Sequence, residues 1–274
     1  MTTLTSVPRT TPVAAPTARF RDLLASEWIK MWSLRSTSWT IALTVLFVIG
    51  STVVATSSDA AAGSAPADFR PFDAYPPAGY WTLMLVASSI GALTVVSEYH
   101  SGLIRTTTVA VPARGSLVLA KAAVTAALWT VVGTVAATGS FLVSQALLDG
   151  QHAGVPITHP GVLRPLLASA LLAPVCALVG LGLGVLIRHA AGTMVTSVFA
   201  LLMLPPMFSE SNRWSADIKH ALVSAAWTRL IQTWEPDPGS LAYSATVPGS
   251  WAVYLLWPLL TVALAVFAVR RRDV

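Results

Sequence analysis

Glu27 and Glu98 are the side chains in this sequence whose placement most suggests a task for an ionisable group. Both stand at the edges of long uncharged apolar runs. Arg21, Lys30, Arg35, Arg105 and Arg114 stand near the same edges, so a cluster of opposite charges can form there. Glu27 also falls on the apolar side of a helical repeat when residues are placed about 100° apart. A carboxylate among apolar neighbours needs a partner, and Lys30, three residues on, is the local one. The competing reading is that these charges are solvated among lipid headgroups. Lys121 lies close enough to the end of an apolar run to snorkel out of it.

Other chemistry is missing. His100, His152, His159, His189 and His220 show no HExxH spacing. There is no GxSxG elbow, no GxxxxGK[ST] phosphate loop and no Gly-Lys pair, so the chain cannot bind and split ATP by that route. His152 and His159 sit among Pro and Gly and read as a solvated loop. The one cysteine, Cys176, lies in an apolar run and reads as a packing residue. The sequence therefore predicts no catalytic, cofactor-binding or metal-binding residue, and a protein that is not an enzyme.

The elements that must position the charges follow from composition. Of 274 residues, 54% are hydrophobic and 11% charged, with a mean hydropathy of +0.67. Soluble domains carry about 25% charged residues. The net charge of +5 sits at the flanks of apolar runs and forms no basic stripe, which argues against nucleic acid as a partner. Residues 1–18, rich in Thr, Pro and Ala, read as a disordered tail with no signal-peptide core. Residues 19–36 read as an interfacial amphipathic helix. Phe20, Leu23, Leu24, Trp28, Met31 and Trp32 share one face, flanked by basic residues.

Residues 37–274 read as a domain of six transmembrane helices in an all-α integral membrane protein. The predicted spans are about 38–57, 78–97, 117–148, 166–187, 190–208 and 251–269. Each holds about 18 residues or more, enough for a hydrocarbon core of about 30 Å. The fifth ends at Pro205–Pro206, and only Arg188 and His189 separate it from the fourth. Placing the N-terminus inside gives twelve Lys and Arg in inner segments: Arg9, Arg19, Arg21, Lys30, Arg35, Arg105, Arg114, Lys121, Arg188, Arg270, Arg271 and Arg272. Five fall outside: Arg70, Arg164, Arg213, Lys219 and Arg229. That bias predicts two cytoplasmic termini.

Two connections exceed turns. One is an inner loop over 98–116. The other is an outer loop over 209–250, where Trp214, Ile218, Leu222, Trp227, Leu230, Ile231 and Trp234 follow a helical period. That period predicts one or two amphipathic helices resting on or dipping into the outer leaflet, broken by Pro236, Pro238 and Gly239. Gly180 with Gly184, and Gly133 with Ala137, provide small-residue steps for close helix packing. Pro174 and Pro258 are candidate kink positions. Apart from Lys121, the spans lack ionisable side chains, which argues against proton- or ion-coupled transport and against a charged filter. Any transport would draw its energy from outside the membrane domain.

The run Glu98-Tyr99-His100-Ser101-Gly102-Leu103-Ile104-Arg105-Thr106, then Pro112-Ala113-Arg114 and Lys121, follows Ser26-Glu27-Trp28-Ile29-Lys30 before the first span. Together they resemble the permease subunits of ABC-2-type transporters, in the bacterial branch with separately encoded six-helix membrane subunits. Layout carries the resemblance over most of the chain. Many relatives have Gly-Thr in place of Gly102-Leu103, and often Ser in place of Ala113.

The resemblance implies a bacterial plasma-membrane exporter subunit that pairs with a second permease, as a homo- or heterodimer. It implies a separate ABC ATPase subunit that carries ATP and Mg. Glu98, Tyr99, Gly102, Arg105, Pro112 and Arg114 would then belong to an ATPase-coupling loop. Glu27, Trp28, Lys30 and Arg35 would belong to the interfacial helix that touches the same subunit. A membrane scaffold or sensor recruiting cytoplasmic partners is the alternative. A lipid-modifying enzyme and a secondary carrier rank behind it. Neither the substrate nor the choice between homo- and heterodimer is legible in the residues.

Overall fold

The fold is known from a computed structural model that describes residues 19–33, 35–61, 74–100, 114–149, 154–234 and 243–271. The described residues form helices and connections, with no strand among them. The chain opens with α1 (Phe20–Ser33) and α2 (Arg35–Ala61). In α1 the Arg19 backbone N–H donates to Asp22 Oδ2 at 3.1 Å. Asp22 in the first turn and Lys30 in the last complement the helix dipole. Then come α3 (Pro77–His100), α4 (Arg114–Asp149) and α5 (Leu163–Ile187).

Arg188 ends α5 in the left-handed conformation, φ 59° and ψ 15°. That residue turns the chain sharply into α6 (Ala190–Val198), whose cap is His189. Its Nδ1 accepts from the Gly192 N–H at 3.1 Å. Two short helices, α7 (Arg213–His220) and α8 (Val223–Ile231), precede the last helix, α9 (Val247–Arg271).

Among the described residues five helices, α2, α3, α4, α5 and α9, are long and apolar enough to cross a membrane, which makes the chain an all-α, multi-pass membrane protein. Six such helices are expected from sequence, and the difference lies in the fifth apolar run. There α6 lasts nine residues and passes into a five-residue π turn, Phe199–Met203, then a 3₁₀ turn, Pro205–Met207. Pro205 and Pro206 lack the N–H that an α-ladder requires, and their rings crowd the preceding turn. The wider turn closes instead through Leu204 N–H to Phe199 O at 2.8 Å. At about 1.5 Å per residue, Ala190–Met203 reaches about 20 Å, against a hydrocarbon core of about 30 Å.

The bundle is built around α5, which packs on α3, α4, α6, α8 and α9. Of its most apolar window 72% is buried, against 22% for α2 and 28% for α9. That ranking makes α5 the core and leaves α2 and α9 with broad outward faces of Leu, Val and Phe. Small residues permit the central crossing. A Cβ on Gly180 would sit 2.0 Å from Ser88 O of α3, and one on Gly91 would sit 2.0 Å from Ala177 O of α5. The two backbones therefore touch directly. Gly184 also faces α3, while Gly133 of α4 meets Ala170 O of α5.

The helices α3, α5 and α9 fix the two ends of the bundle. Val95 near the end of α3, Val118 near the start of α4 and Val269 near the end of α9 share one apolar cluster. So α1, the end of α3, the start of α4 and the end of α9 lie together. At the opposite end, Tyr80 stacks on Trp227 with centroids 5.3 Å apart, and Trp227 Nε1 donates to Ser169 Oγ at 3.3 Å. The helical period expected in this stretch is present in α8. Its apolar side, Trp227, Leu230 and Ile231, is buried in the bundle core. Arg164 fastens α8, donating to the carbonyls of Leu230 (3.2 Å) and Gln232 at its C-terminal end.

Candidate functional site

The docking of α1 on the bundle assembles the site. Leu23 and Leu24 pack against Leu117 and Ala120 of α4. One turn on from Leu23 is Glu27, and one turn on from Leu117 is Lys121. A contact between the first pair therefore brings the second pair together. Leu23 and Glu27 are the buried residues of α1. Trp28, Ile29 and Trp32 face outward, and the two indoles stand 5.9 Å apart. That outward face suits an interfacial helix.

Glu27, Lys30, Glu98 and Lys121 form a closed ring. Lys121 Nζ lies 2.6 Å from Glu27 Oε2 and 2.6 Å from Glu98 Oε1. Lys30 Nζ lies 2.8 Å from Glu27 Oε1 and 3.0 Å from Glu98 Oε1. Two carboxylates and two ammonium groups cancel. Three of the four are almost withdrawn from solvent: Glu27 is 4%, Glu98 6% and Lys121 4% exposed. Lys30 closes the ring on its open side.

Burial alone would lower the Lys30 pKa. Its hydrogen bonds to Glu27 and Glu98 and their negative charge outweigh that, and the pKa is raised. Four charges in low dielectric are held by mutual pairing, since any one left alone would cost several kcal/mol.

Both acids singled out in the sequence thus meet in space, across α1 and α3. The local Glu27–Lys30 pair is present and is one side of the larger ring. Lys121 does not snorkel. It stays inside, where two carboxylates compensate its charge. Its role was concealed because both partners come from other helices. The readable signal is a lysine one turn into an apolar run, at a level that holds two acids.

The remaining expected residues divide. Tyr99 carries the Arg188 guanidinium over its ring, 4.9 Å from the centroid, which ties the end of α3 to the α5–α6 turn. Arg21 pairs with its neighbour Asp22 at an exposed 3.5 Å, and Arg35 opens α2 on the exposed surface. Neither joins the ring. Arg114 is the first residue of α4. Gly102, Arg105 and Pro112 lie outside the described residues, as do His152 and the Pro236–Gly239 cluster.

Away from helix ends, the five long helices carry no Asp, Glu, Lys or Arg apart from Lys121. Among the described residues, no three His, Cys, Asp or Glu side chains gather into a metal-sized group. The ring links three helices, α1, α3 and α4, through four ion pairs.

No protein-family model matches the chain, and no curated protein matches it significantly.

Proposed function

We propose that this chain is the membrane-spanning permease subunit of an ATP-driven exporter of the ABC-2 type. Two copies, or this chain and a similar one, would line the path, and a separate cytoplasmic ATPase would supply the energy. The supporting observation is the buried ring that clamps α1 to the end of α3 and the start of α4. Glu98 is both a ring member and the start of the 98–116 loop expected to meet the ATPase. A push on α1 or on that loop would therefore reach α3 and α4 as one rigid unit.

The ring end is then cytoplasmic, and the helices beyond it provide an uncharged path. Such a path is compatible with apolar or amphipathic cargo. The plasma membrane of a bacterium is the proposed location.

Glu27→Gln and Glu98→Gln test the reading in proteoliposomes containing the chain and its co-purified ATPase. Each variant should keep at least half of the ATP hydrolysis while cargo export falls about tenfold or more, because a neutral amide no longer anchors Lys121. Unchanged export in both variants would refute the coupling role. Transport by the chain alone on a proton or sodium gradient would refute the exporter reading itself.

A further inference from the structure

We infer that the bundle end carrying the charge ring binds anionic phospholipids, through arginines set beside exposed aromatic rings on α2 and α9. The charge count points there first. Twelve Lys and Arg stand in the segments that flank the helices at this end, against four acids, Asp22, Glu27, Glu98 and Asp273. Within the ring, Lys30 and Lys121 match Glu27 and Glu98. Ten cations and two acids remain outside it. The segments at the opposite end hold five Lys and Arg against eight acids. The two counts include every Asp and Glu of the chain, so no further carboxylate is left to cancel the excess at the ring end.

The placement of two of these arginines points to lipid. Arg35 opens α2, and Trp39 follows one turn on; both are exposed. In the last turn of α9 the Arg271 guanidinium lies 4.4 Å from the centroid of the Phe267 ring, and both residues are exposed. Of the five long helices, α2 and α9 are the least buried in the bundle. Both therefore present the same order to the surrounding bilayer: an aromatic ring at the border of the hydrocarbon and a guanidinium one turn beyond it, at headgroup depth. Trp28 and Trp32 of α1 add exposed rings at the same end.

Aromatic rings favour the membrane interface, and a guanidinium matches a phosphate with two parallel N–H donors. Each arginine near an anionic leaflet is worth about fivefold in occupancy. An acidic soluble protein would complement the charge and leave the exposed rings and leucines beneath it uncovered. The inference does not depend on the exporter reading and needs no ATPase to test.

The test passes the full chain through mixed micelles with equal phosphatidylglycerol and phosphatidylcholine, followed by gel filtration and mass-spectrometric counting of the retained lipids. Phosphatidylglycerol should be retained about fivefold or more over phosphatidylcholine. Arg35→Gln/Arg271→Gln should lower that ratio about threefold or more, and high salt should do the same. Each single Gln variant reads the same effect at smaller size, so the test does not hang on one protein. Arg35→Lys/Arg271→Lys keeps the charge and should regain more than half of the ratio. Arg213→Gln, exposed at the opposite end, should leave it unchanged.

Equal retention of the two lipids would overturn the proposal and leave the arginines to an acidic protein. Loss in Arg213→Gln as large as in the double variant would overturn the location. Displacement of the retained lipid by millimolar glycerol phosphate would overturn the lipid as occupant in favour of a free phosphate.

Discussion

Lys121→Met removes one ammonium from the ring and keeps a side chain of similar length. Of the ring's two ammonium groups, Glu27 and Glu98 then keep Lys30, whose side chain is 44% exposed. Two short contacts of 2.6 Å are lost, and the buried site is left with an excess negative charge. Breaking a buried pair by deleting one partner costs about 3–5 kcal/mol. At about 2–4 °C per kcal/mol for chains of this size class, the melting midpoint should fall by about 10 °C.

The assay is intrinsic-fluorescence melting of detergent-purified protein at a fixed heating rate. The double variant Lys121→Met/Glu98→Gln restores neutrality around the remaining Glu27–Lys30 pair, so it should regain about half of the loss or more. A single variant that melts within about 2 °C of wild type would refute the burial argument. Additive losses in the double variant would refute the pairing.

Three further outcomes follow from the packing and the charges. Gly180→Val should abolish folded, monodisperse protein on gel filtration, because its Cβ would meet Ser88 O at 2.0 Å, whereas Gly50→Ala, with nothing within 4 Å, should be tolerated. Trp227→Ala should cost about 3–5 kcal/mol, read as a fall in melting midpoint, since it removes a buried indole stacked on Tyr80. Lys30 has a raised pKa, so its contribution is complete below the ordinary value of 10.5 and is lost only as pH rises through the higher folded value. The melting difference between wild type and Lys30→Met should therefore hold steady from about pH 7 to about pH 10 and narrow above it.

Much of the architecture was legible because lipid-facing helices must be long and uncharged, a constraint local in sequence. The apolar runs leading to α2, α3, α4, α5 and α9 are of that kind. Gly180 and Gly184 marked a close crossing by spacing alone, and they do face α3. The fifth run misled on length. Its composition is that of a span, but Pro205 and Pro206 break the hydrogen-bond ladder before the helix reaches full length.

The helix α8 was legible as a period. A periodic apolar face shows that burial occurs and does not show against what. Trp227 and Leu230 are buried in the bundle core.

The charge ring was half legible. Glu27 betrayed itself by its position on an apolar face, and Glu98 by its place at a helix end. Snorkelling of Lys121 needs no partner, so its sequence neighbourhood hides the ring, whose carboxylates lie 94 and 23 residues away. Arg229 carried a similar signal, being spaced three residues from Ala226 on the buried side of α8.

Native mass spectrometry of the chain purified from its own membranes, in mild detergent without crosslinking, is the most direct test of the central claim. The account predicts an assembly of two 28.8 kDa membrane subunits, or one with a similar partner, together with ATPase subunits that carry a phosphate-binding loop. The Glu27→Gln/Glu98→Gln chain should hold the same partners with weakened contact. A chain that flies alone, or with soluble partners that hydrolyse no ATP, would contradict it.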